Sequence, residues 1–253
     1  MDSIRFSAAV ARALLRKAEG GGIGMLGEKT LHSALKYYYE PDETRHEQKV
    51  SGFFADVMNS EGIIEIQTRS LFSMKRKLEE YPPDVPVTLV HPVIRRRRII
   101  LRDPETGELS APRLSPKKGA LADAFRELVH VKDCLTRPGL VVVVPIVDAE
   151  EYRVRQDTRR RSRRAAGAAK YELVPTELVG EWAFVSRDDW LRMIPEALAG
   201  SEFTVKQLAR SAPYPERLAQ QICAVLYSVG ALARRREGRA YVYSKAAEET
   251  EEA

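Results

Sequence analysis

The chain has 253 residues, 44% of them hydrophobic, and carries a formal net charge of +5 with a pI near 9.2. This length exceeds the usual size of one small domain, so we expect one large or two smaller domains with real hydrophobic cores. The longest apolar run, residues 140–147, is too short to span a bilayer. Charged residues interrupt the N-terminal apolar segment, which argues against a secretory signal. We therefore expect a cytoplasmic protein with no membrane partner.

Basic residues are clustered along the chain, as is typical of proteins that bind a polyanion. Residues 95–98 are four consecutive arginines, residues 153–170 hold eight basic residues against one acid, and residues 234–236 add three more. Nucleic acid, and DNA first, is the predicted partner. The two cysteines, Cys134 and Cys223, each lie in an apolar helical pattern, so we expect buried thiols rather than a disulfide or a zinc site.

The N-terminal part is predicted to be helical. Residues 3–19 have the pattern of an amphipathic helix, which the glycines at 20–22 end. Residues 28–39 form a second predicted helix, on which Glu28, His32 and Lys36 recur every four residues and so share one face. For His32 we expect a solvated position on that face.

Three predicted strands follow within residues 46–68, at 49–50, 53–58 and 63–68. Turn-forming residues 59–62 indicate a β-hairpin between the last two. A symmetric loop there pairs residues whose numbers sum to 121, so Asp56 faces Glu65 on one side of the hairpin. Gln67 lies two residues further and points the same way. Two facing carboxylates repel unless they share a cation, which predicts a metal site. A merely solvated hairpin face is the alternative.

The predicted elements continue with a helix at 70–80 and a buried strand at 85–93, so the order from residue 28 is α-β-β-β-α-β. A further hairpin is predicted to turn at 104–107. Residues 115–119 form a basic loop that carries Lys117 and Lys118, both expected to contact DNA. A helix to about residue 135 and a core strand at 140–147 complete the first predicted domain, residues 1–150.

Residues 151–180 are predicted to be an Arg-rich linker or a basic helix, because they contain few large apolar side chains. Residues 181–246 resemble a winged helix-turn-helix domain. Thr204 and Gln207 form a capping box at the start of one helix, a second helix covers 216–229, and a hairpin follows at 232–243. Its basic residues are placed to touch phosphates: Arg234, Arg235, Arg236 and Arg239. A hairpin used for protein contacts is the alternative. The acidic tail, 247–253, is expected to be disordered.

The order α-β-β-β-α-β, with Asp56 on the second strand and Glu65-Ile66-Gln67 on the third, resembles the PD-(D/E)XK nuclease superfamily over about residues 24–95. The resemblance implies a restriction-endonuclease-like fold in which Asp56 and Glu65 bind Mg²⁺ or Mn²⁺, joined by Glu28. Glu47 on the first strand is a second candidate for the metal.

The sequence departs from this family at Gln67, which stands where a lysine is usual. A neutral amide can orient a water but cannot supply positive charge to the phosphate. Two lysines are candidates for that missing charge: Lys77, in the helix after the third strand, and Lys49, on the first strand.

These observations predict an α/β protein with a mixed sheet and a small C-terminal winged-helix domain. The predicted function is that of a metal-dependent DNA endonuclease. A non-catalytic DNA-binding regulator with a degenerate nuclease-like domain is the main alternative, and an interaction protein that uses the fold as a scaffold is a third. Both a monomer and a homodimer stay open.

Overall fold

The computed structural model describes residues 2–19, 30–154 and 169–247. This part is an α/β structure with a large mixed sheet and a small second sheet. Its strands are β1 His46–Val50, β2 Phe53–Asn59, β3 Gly62–Ile66, β4 Val87–Val90, β5 Val93–Arg102, β6 Arg113–Leu114, β7 Leu140–Val154, β8 Ala169–Phe184, β9 Phe203–Thr204, β10 Leu232–Glu237 and β11 Ala240–Lys245. Its helices are α1 Ser3–Glu19, α2 Thr30–Tyr39, α3 Lys75–Glu80, α4 Phe125–Leu128, α5 Arg187–Leu191, α6 Glu196–Ala199, α7 Val205–Ser211 and α8 Glu216–Ser228.

The large sheet combines an antiparallel half with a parallel half. Strands β1, β2 and β3 form an antiparallel meander. Strand β4 then pairs in parallel with β3 and with β7, and β5 also runs parallel to β7. Helix α3 lies between β3 and β4 in the chain, because parallel neighbours need a crossover connection. The observed order from α2 to β4 is the predicted α-β-β-β-α-β.

Helices cover both faces of the sheet. Every residue of β3 is buried, and its side chains alternate between two hydrophobic clusters. Ile63 belongs to the cluster that includes Leu78 of α3 and Phe125 of α4. Ile64 and Ile66 belong to the cluster that α1 and α2 cover. The residues around β3 are thus enclosed between helices on both sides.

The predicted strand at 85–93 is divided into two. Strand β4 ends at Val90, and β5 begins at Val93, after His91 and Pro92. Proline removes a backbone donor, so it is usual where a ladder is interrupted. The arginine run therefore lies on β5, where Arg95 forms an ion pair with Asp148 at 2.7 Å.

The predicted linker or helix at 151–180 is wrong at both of its ends. Residues 151–154 belong to β7, and β8 runs from Ala169 to Phe184 and pairs antiparallel with β7. Residues 155–168 lie outside the described residues. The linker was predicted from the arginines within residues 153–164. Residues 169–184, in contrast, contain several apolar and β-branched residues, which favour a strand. The first domain therefore extends through β8.

The predicted C-terminal elements are present, but they share a core with the sheet. Thr204 and Gln207 form the capping box of α7, and β10 and β11 form the hairpin, with a two-residue loop of Gly238 and Arg239. Residues of α8 belong to the same hydrophobic cluster as α3, α4 and the sheet face. The C-terminal part is therefore packed on the first domain. Of the predicted tail, residues 248–253 lie outside the described residues.

Both cysteines are buried free thiols, as predicted. Among the described residues, none of the helices combines the length and the apolar character needed to cross a membrane.

Candidate active site

The β2–β3 hairpin has the predicted register. Asn59 pairs with Gly62, Met58 with Ile63 and Val57 with Ile64, so the paired numbers sum to 121. The paired residues end at Val57 and Ile64, and just beyond them the Ile66 backbone N–H donates to the Asp56 side chain, which lies close enough to Glu65 to affect its charge. Gly62 closes the hairpin with a φ of 121°, and an added Cβ would lie 2.3 Å from the Pro86 carbonyl oxygen. Only glycine fits this turn, so Gly62 helps to fix the register of the hairpin.

Asp56 is held between β3 and α2. Its Oδ2 accepts a hydrogen bond from the Ile66 backbone N–H at 2.7 Å and lies 3.2 Å from Nε2 of His32. Burial alone would raise the pKa of Asp56. The hydrogen bond and charge of His32, with the Ile66 N–H, outweigh burial, so the pKa lies below its usual value. Asp56 is therefore ionised at neutral pH.

Glu65 is the more buried of the two acids, with only 1% of its surface exposed. The Tyr81 hydroxyl donates to its Oε1, and Lys77 Nζ lies 3.1 Å from both of its carboxylate oxygens. Burial first, and then the charge of Asp56, raise the pKa of Glu65 to about 7, against the lowering effect of Tyr81 and Lys77. The two carboxylates thus interact electrostatically, as their predicted placement requires.

Helix α3 brings Lys77 to this pair. Leu78 of the helix is buried in the core, as is Leu71 in the 3-10 turn before it, and these anchors fix the helix against the sheet. Lys77 Nζ also donates to the Phe54 carbonyl oxygen on β2 at 2.7 Å. The lysine therefore bridges the two strands that carry Asp56 and Glu65.

Gln67 lies just past the end of β3, one residue beyond the strand. Its backbone N–H still donates to the Val90 carbonyl, while its Nε2 donates to the Ser73 hydroxyl at 3.0 Å. The imidazole of His91 is hydrogen-bonded to the Gln67 carbonyl at 2.7 Å. Gln67 is thus fixed at the rim, with its amide turned toward the turn before α3.

The structure does not gather all the predicted residues. Glu28 lies outside the described residues. Lys49 is exposed on β1 and forms no ion pair with Asp56 or Glu65 in the part of the chain that the structure describes. Glu47 is bonded to Lys36 of α2 at 2.6 Å. Among residues 2–19, 30–154 and 169–247, no group of three His, Cys, Asp or Glu side chains is arranged to hold a metal ion.

Two residues of the site were missed from the sequence. His32 was expected in solvent, but it contacts Asp56, because the polar face of α2 packs on the acids of β1 and β2. The four-residue spacing of His32 and Lys36 was the available signal. Tyr81, which ends α3, gave no signal, because its contact with Glu65 depends on how the helix crosses the sheet.

The predicted basic loop lines a groove of about 700 Å³ that borders the candidate active site. We call this the basic groove, and its basic residues are Arg69, Arg97, Lys117, Lys118 and Arg126. Two backbone hydrogen bonds tie the loop to β5, from the Ser115 N–H to the Arg97 carbonyl and from the Gly119 N–H to the Arg95 carbonyl. Lys117 and Lys118 are thus held in place.

The predicted DNA-contacting arginines of the β10–β11 hairpin, which we call the wing, are all exposed. Arg235 forms ion pairs with Glu202 and Glu237, both at 2.7 Å. The guanidinium of Arg234 lies 4.0 Å from the ring centroid of Tyr227 and 4.4 Å from that of Tyr241. Arg239 lies at the tip of the hairpin. Part of the positive charge of the wing is thus neutralised by Glu202 and Glu237.

Comparison with known proteins gives a family but no activity. A family model described as "Domain of unknown function (DUF8091)" matches residues 29–185. An "Uncharacterized protein" of Treponema pallidum (strain Nichols) is 34% identical over 137 residues, which are 54% of this chain and 54% of that protein. The chain therefore spans about half the length of this curated relative. No solved structure matches the chain.

Proposed function

We propose that this chain, which belongs to the DUF8091 family, is a metal-dependent nuclease that hydrolyses phosphodiester bonds, with DNA as its first expected substrate. The observation that carries the proposal is the contact of Lys77 with both oxygens of Glu65, beside Asp56. Lys77, from the helix that follows β3, thus takes the place of the lysine that is usual where this chain has Gln67. The order α2-β1-β2-β3-α3-β4, with β4 parallel to β3, supports a restriction-endonuclease-like core.

The donor chemistry of Asp56 and Glu65 suits a small divalent cation, with two protein ligands and no third among the described residues. Asp56 and Glu65 offer hard oxygen ligands, and the charge of Asp56 helps to raise the pKa of Glu65, so a cation between them would relieve their repulsion. These two residues would hold the Mg²⁺ or Mn²⁺. When bound, the metal would lower the pKa of a water and neutralise charge on the phosphate.

The remaining chemistry is assigned to this chain's own residues. Hydrolysis forms a bond from the water oxygen to phosphorus, with loss of a proton from this water to solvent, and breaks a P–O bond to the sugar, whose oxygen takes up a proton from solvent. Lys77 provides positive charge beside the reacting phosphate, and Gln67, whose amide bonds the Ser73 hydroxyl and the Arg69 N–H, positions the segment that follows β3. His32 and the Ile66 N–H hold Asp56 in its charged form.

One observation favours the second candidate, a non-catalytic DNA-binding regulator. The carboxylates already have protein partners: Lys77 and Tyr81 on Glu65, and His32 and Ile66 on Asp56. A site satisfied in this way is stable without a metal. Under this alternative the basic residues bind nucleic acid and no bond is cleaved.

A metal-binding assay and a cleavage assay together test the proposal. Mg²⁺ or Mn²⁺ should raise the melting temperature of the wild type, because binding to the folded state alone stabilises it, and Asp56→Asn should abolish the shift. Labelled single-stranded, duplex and branched DNA, and RNA, should be incubated with each metal. Glu61→Gln, an exposed acid at the hairpin tip, is the matched control. A wild type that binds DNA but shows neither a shift nor cleavage would establish the regulator instead.

A further inference from the structure

Two phenylalanines beside the candidate active site are exposed to solvent. Phe54 is 61% exposed and Phe72 is 68% exposed. Burial of such a side chain stabilises a fold by about 1.5–3 kcal/mol, and the core around Phe72 is instead filled by Leu71 and Met74. Neither ring is therefore needed where it lies for the packing of the core.

Both phenylalanines are connected directly to the site residues. The Phe54 carbonyl accepts the hydrogen bond from Lys77, and Phe54 precedes Asp56 by two residues on β2. Phe72 is followed by Ser73, whose hydroxyl accepts from the Gln67 amide. The two exposed rings thus lie on the two segments that flank Lys77 and Gln67.

The basic groove begins at the same place. Thr68, Arg69 and Ser70, which follow Gln67 in the chain, form one wall, and His91, which bonds the Gln67 carbonyl, lines it as well. The Ser70 hydroxyl accepts from the Phe72 N–H, so the wall leads into the turn that carries Phe72. Gln67, the groove wall and Phe72 are therefore consecutive in the chain and are joined by hydrogen bonds.

The charges of the basic groove suit a phosphate backbone. Five basic side chains and two acids line it, and both acids have protein partners: Asp123 pairs with Arg126 at 2.9 Å, and Glu127 accepts from the Leu71 N–H. In the described ranges no carboxylate lies within ion-pair distance of Arg69, Lys117 or Lys118. Arg97 forms an ion pair with buried Glu151 at 3.1 Å.

We infer that the candidate active site takes nucleic acid as a single strand. Phosphates of the strand lie along the basic groove, and Phe72 and Phe54 stack on unpaired bases beside the carboxylates. A positively charged groove with exposed aromatic rings is the combination by which proteins bind single strands, because only unpaired bases offer their faces to a ring. This inference rests on the proposed function for the position of the scissile bond, but the binding it describes does not depend on catalysis.

Binding without metal tests the inference separately from cleavage. Fluorescence anisotropy of a labelled oligothymidylate of about 20 nucleotides, in EDTA, should show at least roughly tenfold tighter binding than a duplex of the same length. Phe72→Leu should weaken single-strand binding by roughly 5- to 150-fold, the range for stacking one base on an aromatic ring, and Phe72→Trp should retain it. Trp182→Leu, an exposed aromatic on β8 outside the groove lining, should bind as the wild type does.

The groove residues give an independent measurement. Lys117→Ala with Lys118→Ala should lower the slope of log affinity against log salt by roughly 0.7 for each lost phosphate contact on a single strand. A parallel titration with RNA of the same length distinguishes the two kinds of strand. Thermal melting should show that all these surface variants fold.

The outcomes separate this inference from the proposed function. Equal affinity for duplex and single strand, or unchanged single-strand binding by Phe72→Leu, overturns the inference even if the wild type cleaves DNA. The expected binding results without cleavage in either metal support the inference and overturn the nuclease proposal.

Discussion

The basic groove and the wing both carry clustered positive charge, but the two regions use it differently. On the wing, Arg235 lies between Glu202 and Glu237, and Arg234 is stacked between two tyrosines. In the basic groove, Asp123 pairs with Arg126 and Glu127 accepts from the Leu71 N–H, but Lys117 and Lys118 extend from a loop fixed to β5 and have no ion-pair partner among the described residues. A run of basic residues in the sequence therefore does not identify the binding surface. The carboxylates that the fold brings near each run decide how much charge is available.

The largest expected effect separates the candidate active site from both basic regions. Lys77→Ala should reduce single-turnover cleavage by roughly 10²–10³, the usual loss when one group that stabilises transition-state charge is removed. Lys75→Ala is the matched control, because Lys75 lies on the same helix and pairs with Glu79 in solvent. Gln67→Lys should be tolerated or raise the rate. A large loss with Lys49→Ala in place of Lys77→Ala would reassign the role.

The second prediction concerns the acid beneath the groove. Burial alone would raise the pKa of Glu151, but the hydrogen bond from Arg153 and the charges of Lys170 and Arg97 outweigh burial and lower it. Glu151 therefore stabilises the fold above its unfolded pKa near 4.5, and this contribution is lost as the pH falls through the lower folded value.

Glu151→Gln should thus reduce the free energy of unfolding at pH 7 by about 2 kcal/mol, less than the loss on breaking a fully buried pair, because the basic partners are about one third exposed. Urea unfolding across pH should show the difference from wild type shrinking in acid. Glu150→Gln is the neighbouring control. A difference that stays constant at every pH would contradict the assigned charge network.

The third prediction measures the wing directly. Replacing Arg234, Arg235 and Arg236 by alanine should weaken DNA binding alike for all sequences, by several-fold, and lower the salt slope by about 0.9 for each lost phosphate contact on duplex DNA. Because Arg235 already pairs with two carboxylates, we expect the salt slope to change by less than the value that corresponds to the loss of three phosphate contacts. A slope change that corresponds to all three would show that the ion pairs open on binding.

The smallest effect comes from the aromatic stack on the wing. Tyr227→Leu should lower stability by about 0.5–1 kcal/mol, the size of an exposed cation–π contact, whereas Tyr227→Phe should retain the contact with Arg234. Chemical denaturation of both variants measures this. Equal losses in the two variants would assign the effect to the hydroxyl instead of the ring.

Local rules were sufficient for part of the site. Turn residues 59–62 predicted the hairpin and its register, and Asp56 and Glu65 follow from that register. The capping box of α7 was likewise read from Thr204 and Gln207. Each of these features depends on residues a few positions apart, so the sequence specifies it directly.

The rest depends on contacts between distant segments. The contact of His32 with Asp56 depends on how α2 packs on the strands. Strand β8 was not predicted, because the arginine-rich composition of the preceding segment indicated a linker. The basic groove is assembled from the segment after β3, the β4–β5 break, the loop at 115–119 and α4. None of these neighbours is adjacent in the chain, and no periodicity encodes them.

The ring of Phe184, the last residue of β8, affects both the unfolding of this chain and its evolution by recombination. It stacks on Trp190 of α5 at 4.4 Å and meets the edge of Phe125 at 5.9 Å. This ring therefore anchors the junction between the sheet and the C-terminal helices in the hydrophobic core, although the next residues, Val185 and Ser186, are exposed. Melting should be a single cooperative transition in which the two parts unfold together. A C-terminal segment held in this way cannot be exchanged by recombination as an independent module, because any replacement must also supply an apolar surface for these rings.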